Sequence, residues 1–177
     1  MKTNNINLYY LLALLNSKFL TYIVRQMMIT NEQAFPQIMM TDIKLLKIPD
    51  AESIIQTNLA ELSNTLLERT KVYFEVETKF SKYIQSQFSL EKLSKKLQKW
   101  HELEFAAFIS ELNKAIKKVG GEKLSKTDEM DWMEVFETKK AAAQTLKAQI
   151  DKTDAEIDAM VYELYGLSKE EIAIVEQ

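Results

Sequence analysis

Residues 52–87 read ESIIQTNLAELSNTLLERTKVYFEVETKFSKYIQSQ, and the spacing of their apolar side chains decides the fold. Ile55, Leu59, Leu62, Leu66, Tyr73, Val76, Phe80 and Tyr83 follow one another in alternating steps of four and three, with Arg69 as the one polar member. Side chains three and four apart share a helix face, so the pattern predicts one continuous helix with a coiled-coil seam. Pro49 stops whatever precedes it, and Asp50 is the candidate N-cap.

A second stripe runs through Met133, Phe136, Ala143, Leu146, Ile150, Thr153, Ile157, Met160 and Leu164, thinner in its Ala-rich middle. Each helix would hold about 36 residues and reach roughly 55 Å. Equal lengths separated by a compact insert predict a mainly α protein built on a long antiparallel helical hairpin, a coiled coil, with a small helical insert, residues 89–126, at its tip. Within the insert, Leu90, Leu93, Leu97 and Trp100 mark one short amphipathic helix. Phe105, Phe108, Ile109, Leu112, Ile116 and Val119 mark another, which Gly120-Gly121 ends. The pair is expected to form a knob at the distal end, with packing back along the shaft as the other arrangement. Gly166 ends the second long helix, and Ser168 with Glu171 has capping-box spacing for a last short one.

On the N-terminal side, NINLYYLLALLNSKFLTYIVR (residues 5–25) is apolar on nearly every face of a helix. Such a helix needs cover on several sides, and nothing else in the first 50 residues is large enough to supply it. The expectation is a partner or upstream polypeptide, with Leu8, Leu11, Leu12, Leu15, Phe19 and Tyr22 as the interface. Beyond it, Ala34 to Met40 reads as a short extended run, because Pro36 pushes Phe35 away from helical geometry. Thr41 can cap a single turn, Asp42 to Leu46, before a strand-like Lys47-Ile48. Met27, Met28, Met39 and Met40 read as adaptable core.

With 177 residues, three Gly and two Pro, the chain has room for a core but few tight turns. It has no cysteine and a single histidine, His101, which leaves no thiolate metal site and no disulfide framework and suits a cytoplasmic location. Asn16, Ser17, Lys18 and Arg25 interrupt the apolar run from Ile6 to Ile29, which argues against a membrane span. The net charge of -3 hides a strong segregation. Residues 1–48 carry five basic and two acidic side chains, 90–126 carry nine and five, and 127–177 carry five and thirteen. Contact with nucleic acid, if any, is therefore regional.

No constellation for catalysis emerges. Methyl transfer from S-adenosylmethionine calls for a Gly-rich loop after a strand, and adenine methylation for an Asn/Asp-Pro-Pro-aromatic tetrapeptide; the sequence has neither. Glu75 and Glu77 with Lys79 have the composition of a magnesium nuclease site but sit on the heptad helix as its solvated flank. Asp151, Asp154 and Asp158 share one helical face and read as a charged outer surface rather than a metal site. Lys92, Lys95, Lys96 and Lys99, with His101, occupy one side of the first insert helix and form either a phosphate-contacting face or an ordinary solvated one. Gln37, Lys44 and Lys47 make a small polar edge able to touch DNA.

Three stretches together resemble the C-terminal region of the Eco-type and Taq-type bifunctional restriction-modification methyltransferases, the type IIG class, related to type I specificity subunits. One is Tyr10-Leu11-Leu12-Ala13-Leu14-Leu15-Asn16-Ser17-Lys18 with Phe35-Pro36-Gln37-Ile38 and Asp42-Ile43-Lys44-Leu45-Leu46-Lys47-Ile48-Pro49. Another is Leu93 to Trp100 with Glu102-Leu103-Glu104-Phe105, and the most specific runs from Gln149 through Asp158 to Leu167. The resemblance implies that residues 1–49 close a target-recognition domain, including a short strand remnant, and that residues 50–177 form a helical spacer. It implies a non-catalytic specificity and assembly fragment, with the S-adenosylmethionine-binding methyltransferase domain and any nuclease domain on an upstream polypeptide and DNA as the shared partner. A chain starting at Met1 would then be a truncated gene or a separately encoded tail. The competing expectation is a helical-hairpin module that forms a homodimer or docks on a protein without touching DNA.

Overall fold

The computed structural model describes residues 6–28 and 43–177. Seven α-helices lie wholly among the described residues, and no strand does: α1 (Leu8–Asn16), α2 (Lys18–Met28), α3 (Ser53–Gln87), α4 (Lys95–Gln98), α5 (Phe105–Lys118), α6 (Lys126–Tyr165) and α7 (Lys169–Val175). The extended run through Phe35-Pro36-Gln37-Ile38, residues Met39 and Met40, and the side chains of Met27 and Met28 fall outside what is described. Lys47-Ile48, expected to be strand-like, is irregular; it follows a turn in which the Leu46 N–H meets the Ile43 carbonyl, and Thr41 and Asp42, the expected start of that turn, lie outside the described residues. Contacts divide the chain into two compact units, Met1–Glu68 with Asp151–Gln177, and Arg69–Ile150.

In the first unit the N-terminal apolar run is two helices, not the single one expected. Asn7 caps α1 by accepting the Tyr9 N–H at 2.9 Å. Ser17 then leaves helical geometry at ψ 152°. Its hydroxyl donates to the Leu14 carbonyl at 2.7 Å and accepts from the Leu20 N–H at 3.3 Å, closing one helix and opening the next. A serine that satisfies both helix ends competes with the continuous ladder. The break lets Tyr10, Ala13 and Leu14 of α1 and Leu20 of α2 share one core with Leu59, Ala60, Ile157 and Val161. Cover for the N-terminal helices thus comes in part from this chain's own α3 and α6. At the far end of α6, Gly166 takes φ +70°, and the N–H groups of Gly166 and Leu167 return to the carbonyls of Glu163 and Tyr162 at 3.0 Å each. That reversal needs the left-handed backbone that glycine adopts without penalty. Ser168 and Glu171 form the expected capping box at the start of α7.

The second unit gathers the C-terminal part of α3, the N-terminal part of α6 and everything between them. Trp100, Phe108 and Phe136 are fully buried with Phe80, Ile84, Leu97 and Leu112. Phe80 meets Trp100 at 4.3 Å and Phe108 meets Phe136 at 4.5 Å between ring centroids. Arg69 donates to the Gln149 carbonyl at 3.4 Å, and Tyr83 packs on Trp132 at 5.8 Å. The insert lies back along α3: His101, buried, pairs through Nε2 with Glu77 and meets the Tyr73 hydroxyl at 3.1 Å. Lys140, also buried, reaches Glu104 at 3.0 Å.

Two details differ from the sequence reading. Only Lys95–Gln98 of the first insert segment is α-helical, followed by a 3-10 turn at Trp100–Glu102, because Ser94 caps at that point by accepting the Leu97 N–H. The buried stripe on α3 also shifts: Tyr83 is 52% exposed whereas Ile84 is fully buried. A straight helix drifts about 20° per heptad against a 3.5-residue repeat, so a seam counted in heptads leaves the true face after several turns. On α6, Met133 is likewise exposed and Trp132 packs instead.

Both tryptophans, Trp100 and Trp132, belong to the second unit, so their fluorescence follows its unfolding. Ile84→Ala is expected to lower stability by about 2–5 kcal/mol in denaturant titrations, and Tyr83→Ala by about 1 kcal/mol or less. The reverse order would restore the heptad seam through Tyr83.

Candidate functional site

The best-defined polar constellation lies in the first unit, where α2 begins. The first N–H of a helix has no partner within the helix and attracts an acceptor, preferably an anionic one. Here the acceptor is Asp158 on α6, whose Oδ1 takes the Lys18 N–H at 2.8 Å across 140 residues of sequence. Asp158 is 3% exposed. The expected charged outer face is therefore wrong for Asp158, which points into the unit, whereas Asp151 and Asp154 are exposed. Lys18 Nζ lies 3.7 Å from Asp158 and 2.8 Å from Glu176, which follows α7. Glu176 also accepts from the Tyr162 hydroxyl at 2.7 Å.

Charge states follow from these contacts. Burial pushes the Asp158 carboxyl above the usual aspartate range, against the opposing pull of the Lys18 N–H. The Lys18 hydrogen bond, then that of Tyr162, holds Glu176 below the usual glutamate range. Burial, followed by the Glu176 hydrogen bond, raises Tyr162, which stays a donor.

The exit of the N-terminal segment is fastened close by. Tyr165 donates to the Lys47 carbonyl at 2.8 Å, and Tyr10 donates to the Pro49 carbonyl at 2.9 Å. Burial pushes the Tyr165 hydroxyl up to about 12, which keeps that donor protonated. Leu46 and Ile48 pack inward, so Lys44 and Lys47 are exposed on a fixed segment. Their expected neighbour Gln37 lies outside the described residues. An open polar groove of about 600 Å³ runs between α2 and α7, lined by Lys18, Tyr22, Arg25, Gln26 and Gln177 among others. Sequence reasoning named its charged members, Lys18 and Arg25, only as interruptions of the apolar run.

The six expected interface residues divide. Leu8 and Leu15 are exposed at 78% and 38%. Leu11, Leu12 and Tyr22 are half-buried, and Phe19 packs on Tyr165, the tilted rings 4.8 Å apart between centroids, within this unit. In the second unit, Lys92, Lys95, Lys96 and Lys99 are all exposed, but His101 does not join them; it faces Tyr73 and Glu77. Lys99 is turned to Glu102 at 3.4 Å and Lys96 to Glu111 at 3.7 Å.

Glu75 and Lys79 pair with each other in solvent at 3.2 Å. Among the described residues no group of three metal-ligating side chains converges, and no helix is long and apolar enough to cross a membrane. The glycines, at 120, 121 and 166, follow helix ends rather than strands, so they do not fit the S-adenosylmethionine loop that the resemblance assigns to an upstream domain.

These features define a helical scaffold that holds a short N-terminal segment against its long helices. Residues 52–161 match the family model described as Domain of unknown function (DUF8810), and the chain belongs to that family. Residues 1–49 match the TaqI-like C-terminal specificity domain, so the fastened N-terminal segment is a specificity region of the kind found in type II methyltransferases. A specificity domain is non-catalytic, and the match points to a DNA-specificity role in restriction-modification methyltransferases. No curated protein and no solved structure matches the chain.

Asp158→Ala is expected to cost about 1–2 kcal/mol by removing the cap, with faster hydrogen exchange at the first amides of α2. Asp158→Asn keeps the acceptor and should retain most of that protection; equal exchange in both variants would rule out capping. The pH response has opposite signs at the two carboxylates. A lowered Glu176 contributes stability present above the ordinary glutamate range and lost as pH falls through its folded value. A raised Asp158 gives up stability as pH rises from the ordinary aspartate range through its own folded value. Glu176→Gln should therefore flatten the acid loss of α7 amide protection, and an unchanged acid profile would show that Glu176 does not hold α7.

Proposed function

We propose that this chain is a non-catalytic DNA-specificity and assembly segment of a restriction-modification DNA adenine methyltransferase. Residues 1–49 supply the closing part of the recognition domain, and residues 50–177 serve as a helical spacer arranged as an antiparallel hairpin with an insert at 89–126. The carrying observation is the Asp158 cap on α2, made within a core shared by Tyr10, Leu14 and Leu20 with Leu59, Ile157 and Val161. A recognition segment fastened in this way keeps a fixed orientation on the spacer helices, which is what reading a defined sequence requires, since phosphate contacts position and base contacts specify.

Support for the hairpin comes from the order of contacts in the second unit, where Arg69 meets Gln149 and the later Tyr83 meets the earlier Trp132. Exposed Lys44 and Lys47 on the fastened exit, with Gln37, are the candidates for DNA contact in the first unit. The catalytic, S-adenosylmethionine-binding domain would be a separate region or polypeptide, in the cytoplasm.

Exposed Leu8, Tyr9 and Leu15 on α1 favour a second reading, docking or homodimer formation through α1 without DNA contact. The two readings part in a joining experiment. Fused to a methyltransferase domain of the type IIG class, the chain should confer sequence-selective adenine methylation, mapped by sequencing of modified DNA. Identical methylation with and without the chain discards the specificity role. Leu8→Glu with Leu15→Glu should then weaken association with the catalytic part or between copies of the chain, and the isolated chain should show no salt-dependent DNA binding.

A further inference from the structure

Resting on the specificity reading, we infer that the second unit carries a separate, sequence-blind contact for the phosphate backbone of duplex DNA. It lies in the open groove between the loop Ser89–Ser94 and the C-terminal half of α5. The groove measures about 730 Å³. Its charged lining consists of Glu91, Lys92, Glu111, Lys114, Lys117 and Lys118.

The two acids do not offset the four lysines equally. Glu111, its side chain only 15% exposed, lies 2.8 Å from Lys114 and 3.7 Å from Lys96, so it is spent on anchoring those two at the groove edge. Lys92, Lys117 and Lys118 are exposed and have no ion pair among the described residues. They come from two different segments, a loop and a helix end, brought to one groove by the Leu93, Leu97, Leu112 and Ile116 core. An anion lying there meets three unpaired ammonium groups with one exposed carboxylate, Glu91, at the rim.

Lining side chains are lysine, glutamate, serine, alanine and aliphatic, with no aromatic ring on which a base would stack. Single-strand binders use such rings, so the groove fits a duplex backbone rather than unstacked bases. Lysine supplies point charges without the planar fork that reads base edges, and this makes the contact a positioning one. Of the sequence-derived set only Lys92 lines this groove, with Lys117 and Lys118 beside it; Lys95, Lys96 and Lys99 lie outside its lining, Lys96 turned to Glu111 and Lys99 to Glu102.

The test is fluorescence anisotropy of the full chain with a labelled 20-base-pair duplex of arbitrary sequence, titrated across salt concentrations. Each neutralised phosphate contributes about -0.9 to the slope of log affinity against log salt. Replacing three lysines together (Lys92→Gln, Lys117→Gln, Lys118→Gln) should make the slope shallower by about 2 to 3 and weaken low-salt binding at least ~10-fold. A charge-matched control in the same unit (Lys71→Gln, Lys82→Gln, Lys139→Gln) should leave both nearly unchanged. No measurable low-salt binding by the parent chain overturns the inference, as does an unchanged slope or an equal loss in the control. Sequence-selective methylation by the fusion with an unchanged slope removes the groove and leaves the specificity role standing. A shifted slope without selective methylation leaves the groove and removes that role.

Discussion

The first N–H of α2 must find an acceptor, and in this fold it finds a carboxylate from the other end of the chain. Asp158 is buried, and burying a carboxylate costs several kcal/mol unless its charge is met by donors and a counter-ion. The Lys18 backbone N–H meets Oδ1 and the Lys18 ammonium stands 3.7 Å from Oδ2, which offsets part of that cost and leaves Oδ2 without a hydrogen-bond partner. That double engagement fixes where α2 begins, and therefore why Ser17 leaves the helix one residue earlier. The break turns a segment that would be greasy on all sides into two short helices, each with a face directed at Leu59, Ala60, Ile157 and Val161. Glu176 extends the arrangement to the chain's last helix through the same ammonium group.

Periodicity carried the long helices because it reports an average over many turns. Both helices occur, with the caps at Ser168 and Gly166 that the sequence indicates, since those signals are local and each residue supplies its own hydrogen bond. What periodicity could not carry is drift: Ile84 rather than Tyr83, and Trp132 rather than Met133, follow from a 3.6-residue turn counted with a 3.5-residue ruler. The break at Ser17 was illegible for another reason. A serine inside an apolar run is neutral until a distant acceptor makes the new helix start worthwhile, and Asp158 stands 140 residues away from Lys18.

The candidate site was less legible than the fold. Asp151, Asp154 and Asp158 occupy one helical face on a wheel, yet only Asp158 is covered, because cover depends on where α2 lies and not on helix phase. A lysine count locates a basic segment without showing which charges are already engaged. Glu102 and Glu111 occupy Lys99, Lys96 and Lys114, whereas Lys92, Lys95, Lys117 and Lys118 have no ion pair among the described residues. His101 illustrates the same limit: adjacent in sequence to a run of lysines, it turns inward to Glu77 and Tyr73. The resemblance to type II specificity regions was legible because residue order needs no knowledge of the fold; the match covers residues 1–49, while the stretches at 93–105 and 149–167, also read as part of the resemblance, lie outside that match.

On the proposed reading, rigidity and recognition are connected through the exit segment. Lys44 and Lys47 stand on a stretch whose backbone carbonyls at Lys47 and Pro49 accept from Tyr165 and Tyr10, while Leu46 and Ile48 are packed. Both tyrosine hydroxyls are raised by burial, so the fastening does not depend on pH near neutrality. Surface lysines on a free loop lose conformational entropy when they meet a phosphate, whereas lysines on a fastened backbone lose only the part belonging to their side chains. A specificity region gains from that difference, because a contact that needs little ordering discriminates by geometry instead of by accumulated charge. On the proposed reading, the neutral tyrosine bonds and the buried Asp158 cap would serve recognition by holding the cations in place, without touching the DNA themselves.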